Sequence, residues 1–247
     1  MQVEALRTHR IEPHETLETI LDRYIPPLPE KTVLVITSKI ISLCQGRILP
    51  KHTMAKEALI RQEADAIIEG DSNPYDISLT LKNNILIPSA GIDESNGNDT
   101  YILYPEHIQE TAAALWTSVR QKQGLMELGV LITDSTTTPL RRGVTGIALG
   151  WCGFAPLHSY VGQPDLYDHP LRVTQMNLLD ALATTAVLVM GEGNEQTPLA
   201  LIHNAPKLTF LTRPPTLEEE ENVRISLEED LYAPLLTAVK WVRKEEK

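Results

Sequence analysis

Residues 129–150 read GVLITDSTTTPLRRGVTGIALG, joining a run fit for a sheet interior to a cluster of groups fit for chemistry. Val130-Leu131-Ile132-Thr133 is apolar and largely β-branched, the composition of a strand covered on both faces. Asp134 is expected where that strand gives way to a loop. A hydroxyl-rich turn (Ser135, Thr136, Thr137, Thr138), two arginines (Arg141, Arg142) and a second strand follow. An acid suits a metal, hydroxyls suit oxygen-rich ligands and guanidinium groups suit anions, so the set reads as phosphate-handling. A Ser/Thr turn with solvent-facing arginines accounts for the same residues equally well.

Outward from this stretch, apolar periodicity predicts further strands at residues 3–11, 31–37, 84–88 and 199–203. Helices are expected at residues 16–24, 54–69 and 105–123. Pro26-Pro27 stops the first, and Gly70 and Gly124 close the other two. Residues 151–166, rich in Gly, Pro and aromatics, read as loop. Residues 172–190 read as a helix, or a helix then a strand, whose small side chains (Ala181, Ala183, Thr184, Thr185, Ala186) imply close packing. The acidic run Glu218 to Glu221 reads as a solvated helix start, and residues 227–243 as a last amphipathic helix.

Three other polar segments stand at strand ends. Ser38-Lys39 follows the strand at 31–37 and can hold a phosphate through a hydroxyl and a point charge, or can be an N-cap and an exposed lysine. Residues 90–99, AGIDESNGND, carry the hard oxygen donors that Mg²⁺, Mn²⁺ or Ca²⁺ prefer, although without EF-hand spacing. The same residues are common turn formers. Gly91 favours a ligand site, because glycine lets a backbone approach closely. Residues 191–198, GEGNEQTP, form a glycine-bearing acidic loop before a strand.

Bulk properties narrow the class. The 247 residues are 42% hydrophobic and 22% charged, ordinary for a globular chain with a sizeable core. A net charge of -11 argues against a nucleic-acid or anionic-membrane binder, so an anionic substrate needs a local basic cluster. The two cysteines, Cys44 and Cys152, lie far apart without CxxC spacing, and a reduced cytoplasmic setting is expected. No apolar leader or membrane-length window is present. No GxxxxGK[ST], GxGxxG, HExxH or GxSxG motif occurs, which removes the common nucleotide and hydrolase folds.

Taken together the loops are similar to one family. The segments TSKIIS-x-x-x-GR (37–47), AGIDESN (90–96), ITDSTTTPLRRGVTGIALG (132–150), GQPDLYDHPLRVT (162–174, with Asp180) and LVMGEG with a later Pro (188–198) resemble, in order, those of the coenzyme F420 γ-glutamyl ligases and their relatives in folate metabolism. The resemblance implies an α+β fold of two intertwined parts with mixed and antiparallel sheets. It implies one ligase-like domain over 1–247, with two interlocked subdomains and no clear linker, acting as a homodimer. It further implies a GTP-dependent ligase that adds L-glutamate to the carboxylate of a small-molecule acceptor through an acyl phosphate, with Mg²⁺ or Mn²⁺. Carried over by position, Asp93, Asp134, Ser135 and Glu192 would hold metal. Thr8, His9, Arg10, Ile11, Ser38, Lys39, Asn96, Met190, Gly191, Glu192, Gly193, Asn194, Glu195, Gln196 and Thr197 would hold the nucleotide. Arg141 and Arg142, with Lys39, are candidates for gripping phosphate, acceptor carboxylate or glutamate. The chain departs from the family at Leu43, where a lysine is usual, and at Thr137-Thr138, where Gly-Arg is usual. These departures leave two alternatives, a folate-like or other acceptor with ATP as possible donor, and a non-catalytic nucleotide-binding module.

Overall fold

The computed structural model describes residues 1–68, 70 and 73–244. The chain opens with β1 (Gln2–Leu6), α1 (Leu17–Tyr24), β2 (Thr32–Thr37), α2 (Ser38–Cys44) and β3 (Ile48–Pro50). Next come α3 (Lys56–Glu63), β4 (Ala66–Ile68), β5 (Leu79–Lys82), β6 (Ile85–Pro88) and β7 (Thr100–Ile102). The middle holds α4 (Ile108–Gln123), β8 (Leu128–Thr136), β9 (Thr145–Cys152), β10 (Leu157–Ser159), β11 (Gln175–Asn177) and α5 (Leu178–Met190). β12 (Leu199–His203), α6 (Leu217–Glu221), α7 (Ala233–Leu236) and β13 (Trp241–Arg243) complete it.

A mixed five-stranded sheet, ordered β1-β12-β2-β8-β9, forms the centre. Only β2 and β8 run parallel; the other neighbours are antiparallel. Their continuous apolar composition has a direct cause: both sheet faces are covered. Leu34, Ile36, Val130 and Ile132 point into one core with α1, α2 and α4, whereas Val33, Val35 and Leu131 point into a second core with α5. All seven are fully buried. The small residues of α5 do allow close approach. A side chain on Gly146 of β9 would start 2.4 Å from the Ala183 carbonyl oxygen, and Thr184 Oγ1 donates to the Gly146 carbonyl at 3.0 Å.

The second sheet, β13-β4-β5-β6, is antiparallel, and β3 pairs with β7 beside it. A third apolar cluster links α3 (Leu59, Ile60) to Ile67, Ala90, Ile92, Tyr101 and Leu103. The chain therefore runs through the first sheet, the second, the first and the second again, an α+β arrangement with interleaved parts. Helix punctuation follows the sequence signals. Thr16 Oγ1 caps α1 by accepting from the Thr19 amide at 3.3 Å, and Gly124 ends α4 at φ 68°.

Several segments depart from expectation. The helix at 54–69 is only Lys56–Glu63. Ala64 turns extended and Ala66–Ile68 joins the second sheet, where β-branched Ile67 and Ile68 gain ladder partners; Glu69 lies outside the described residues. The strand expected over 3–11 ends at Leu6. Residues 151–166 are not all loop, since Trp151 and Cys152 finish β9 and β10 pairs with β11. Residues 172–190 reverse the expected order, giving a strand and then a helix capped by Asn177, which accepts from the Asp180 amide at 3.1 Å. The long last helix is absent: α7 spans four residues, and β13 pairs with β4. Among the described residues no helix is long and apolar enough to cross a membrane.

Candidate active site

The parallel register of β2 and β8 builds the first wall of a cleft. Thr37 lies opposite Thr133, so the next residues, Ser38 and Asp134, leave the pair side by side. Ser38 Oγ donates to Asp134 Oδ2 at 2.8 Å, and the Ser135 amide donates to Oδ1 at 2.8 Å. Asp134 is still within β8, not past its end as the sequence reading expected. Thr133, Ser135 and Thr136 continue the ladder against Ala148, Gly146 and Thr145, because threonine's branched side chain suits a pleated sheet. A bulge after Ile132 skips Leu149 and re-aims the residues beyond it. Burial pushes the Asp134 carboxyl up to about 6; Ser38 and the Ser135 amide oppose that rise, and the nearby Asp93 charge adds to it.

The same sheet edge gathers two more segments. β12 is antiparallel to β2, so the loop at 191–198 enters there, fixed by the Thr37 amide donating to the Pro198 carbonyl at 3.0 Å. The Thr8 amide donates to the Gln196 carbonyl at 2.9 Å, bringing the segment after β1 alongside. His9 is held on both ring nitrogens, with Tyr24 Oη 2.7 Å from Nδ1 and Glu15 carboxylate oxygens 2.9 and 3.1 Å from Nε2. Gly191 adopts φ 78°, and a side chain there would meet the Glu195 carboxylate at 2.5 Å. Glu195 in turn accepts from the Gly193 amide at 2.8 Å.

The second wall is the loop after β6. Ser89, Ala90 and Gly91 all have positive φ, and the buried Ala90 amide donates to Thr80 Oγ1 at 2.8 Å. Gly91 is needed mainly for protein packing, since a Cβ would stand 2.6 Å from the Tyr104 ring. Beyond it, Asp93 Oδ2 is 2.6 Å from Lys39 Nζ, while Oδ1 accepts from the Ser95 amide and hydroxyl at 2.7 Å each. Burial works against ionisation of Asp93, but the Lys39 hydrogen bond and charge, with Ser95, outweigh it and hold the carboxyl below its ordinary range. Asn96 Nδ2 donates to the Gly193 carbonyl at 3.3 Å, tying this wall to the glycine loop.

Together these four segments enclose a cleft of about 810 Å³. Its lining includes Thr8, His9, Arg10, Ile11, Ser38, Lys39, Asp93, Asn96, Asp134, Ser135 and every residue from 190 to 197. Every residue expected at metal or nucleotide is thus brought to one cavity, with Glu192 on its exposed loop. Arg141 and Arg142 are not in the lining. They sit exposed on the connection between β8 and β9, which contributes Thr137 and Val144 to the cleft.

The pattern of the F420-0:gamma-glutamyl ligase family matches residues 5–204. The chain belongs to that family. It is 30% identical over 206 residues to the coenzyme F420:L-glutamate ligase of Methanococcus maripaludis strain C7, covering 77% of this chain and 82% of the relative. The protein of the same name from Methanopyrus kandleri is 31% identical over 192 residues, 70% and 75% of the two chains. That from Methanocaldococcus jannaschii is 29% identical over 196 residues, 72% and 78%.

For this family member the donor chemistry of the cleft fits a divalent cation. Asp93 and Asp134 feel one another's charge, with the hydroxyls of Ser38 and Ser95 beside them, all hard oxygen donors. Asp93 already holds a cation, the Lys39 ammonium. Among the described residues no three carboxylate, imidazole or thiol groups converge into one ligand set, and Glu192 lines the cleft from its own loop. Sequence reasoning missed the side chains that brace these groups. Glu15 and Tyr24 fix His9, and Lys51 (2.7 Å) and Lys56 both grip Glu94. Nothing in the spacing of the two lysines signals that clamp.

Proposed function

We propose that this chain is a nucleotide- and metal-dependent ligase that joins L-glutamate through an amide to the carboxylate of a small-molecule acceptor, in coenzyme F420 biosynthesis. GTP is the phosphate donor and Mg²⁺ or Mn²⁺ the metal. The observation that carries the reading is the convergence of Ser38, Lys39, Asp93, Asp134 and the 190–197 loop on one cleft, in a chain whose residues 5–204 match the family. The names of the relatives support glutamate as the incoming amine. A homodimer rests on the family resemblance.

An oxygen of the acceptor carboxylate attacks the γ-phosphorus, the bond to the β-phosphate oxygen breaks, and GDP leaves. The glutamate amine then attacks the acyl carbon of the acyl phosphate. The C–O bond breaks, phosphate departs and the amine proton passes to a base. Such transfers are catalysed mainly by positioning and charge neutralisation. Lys39 supplies a mobile point charge for phosphate, and Ser38 a hydroxyl, both at the start of α2. The 191–197 loop and Thr8–Ile11 line the same space and would border the phosphates and the base. A bound metal would add charge neutralisation between the acidic walls, which reconciles a polyanionic substrate with a net charge of -11. Arg141 and Arg142, exposed on the β8–β9 connection whose Thr137 and Val144 line the cleft, would take the carboxylate of acceptor or glutamate.

A second reading keeps this chemistry and changes the acceptor to a folate-like or other carboxylate, with ATP as possible donor. Leu43 and Thr137 support it, because two of the departures from the family line the cleft itself. The test supplies purified protein with GTP or ATP, Mn²⁺, L-glutamate and a panel of carboxylate acceptors. Glutamate-dependent phosphate release is expected with at least one acceptor. Its absence with all of them, alongside intact nucleotide binding, would favour a non-catalytic nucleotide-binding module.

A further inference from the structure

Asp93 spends its two oxygens differently. Oδ1 is satisfied by neutral donors, the Ser95 amide and hydroxyl, while Oδ2 is satisfied by one cation, Lys39 Nζ at 2.6 Å. The ammonium also donates to Ser95 Oγ at 3.0 Å and to the Ser95 carbonyl at 3.4 Å, so its hydrogen bonds anchor it to the 93–95 turn across the cleft. A divalent cation on Oδ2 would sit about 2.0–2.1 Å from that oxygen and carry two charges. Metal and ammonium are therefore alternative occupants of the same oxygen. The lysine has a flexible four-carbon stem on which to leave. The turn does not depend on it alone, because Lys51 and Lys56 hold the adjacent Glu94.

We propose that Lys39 is a displaceable counterion: its ammonium holds Asp93 until a divalent cation takes Oδ2, and it then turns to a nucleotide phosphate in the same cleft. This rests on the reading of the cleft as a metal–nucleotide site. Two consequences follow from linkage. Metal alone binds against the lysine, and nucleotide relieves that competition by giving the ammonium a new partner. Each ligand then tightens the other by the same factor.

Calorimetric titration of Mn²⁺ alone, of GTP alone and of GTP at saturating Mn²⁺ into wild type, Lys39→Met, Lys39→Arg and Lys51→Met tests this. Lys39→Met should bind Mn²⁺ alone about tenfold more tightly than wild type, and the mutual tightening of Mn²⁺ and GTP should shrink by about tenfold. Lys39→Arg should keep wild-type Mn²⁺ affinity. Lys51→Met, which removes an equal charge that bonds Glu94 instead of Asp93, should leave Mn²⁺ affinity unchanged. Lys39→Gln serves if the methionine variant does not fold. Equal or weaker Mn²⁺ binding by the Lys39 variant overturns the proposal and leaves the metal–nucleotide reading standing. So does equal tightening by Lys51→Met, which would mark a diffuse charge effect. A wild type that binds no Mn²⁺ with or without GTP overturns both.

Discussion

Asp134 and Glu192 bring the same functional group to one cleft from opposite settings. Asp134 rides on a nine-residue strand whose neighbours Val130, Leu131 and Ile132 are wholly buried between two cores, and its carboxylate is pinned by Ser38 and Ser135. Glu192 hangs on an exposed loop between Gly191 and Gly193, shaped by a positive φ and by Glu195 folding back on its own backbone. A rigid, partly desolvated acid can define where a metal or phosphate sits. An exposed one on a loop can meet a ligand from the solvent side. Substitutions on the strand should therefore move stability, as well as binding where they touch the carboxylate, and those on the loop should act mainly through binding.

The largest expected break in that contrast is Leu131→Ala, which leaves a cavity in the core that β8 shares with α5 and should lower unfolding free energy by about 2–5 kcal/mol in denaturant titrations. A loss below 1 kcal/mol would mean that β8 is not the rigid wall described. Next is Asp134→Asn, with the sign reversed. The folded carboxyl titrates at about 6, above its ordinary 3.8, so the folded state binds the proton more tightly and wild-type stability falls as pH rises from about 4 to 6. The amide carries no charge to desolvate, and the Ser38 hydroxyl can turn to accept from it. In chelating buffer at pH 7 the variant should be more stable than wild type by about 3 kcal/mol, a gap that closes below pH 4. A constant gap across that range would assign the effect to something other than this charge.

Gly191→Ala should be smaller, about 1–2 kcal/mol, since it forces on alanine an extended positive-φ conformation (φ 78°, ψ 174°) that is essentially glycine's own, and moves Glu195. Its main effect should be on nucleotide affinity, and melting and binding on one sample separate the two. Glu192→Gln is the smallest for stability, within about 0.5 kcal/mol. A clear melting shift in that variant would show that the loop is braced as firmly as the strand.

The sequence made the sheet edge legible where composition and periodicity agreed. The run at 31–37 and the strand Leu199–His203 appear as expected, and the helix before Gly124 ends where glycine permits. Most of the cleft was legible for the same reason, because its polar loops follow those strands. What stayed hidden depends on distant partners. Ala66–Ile68 becomes a strand because β13 and β5 pair with it, and β13 lies at the far end of the chain. Asp134 stays in the strand because β9 supplies a ladder through Thr145. The ion pair of Lys39 with Asp93 requires two walls that only the folded register brings together.

The most direct measurement is calorimetric titration of GTP with Mn²⁺ into wild type and Asp134→Asn, with melting curves confirming that both are folded. Saturable, Mn²⁺-dependent binding to wild type and its loss in the stable variant are expected. Equal binding to both would remove Asp134, and with it the strand wall, from the metal–nucleotide site.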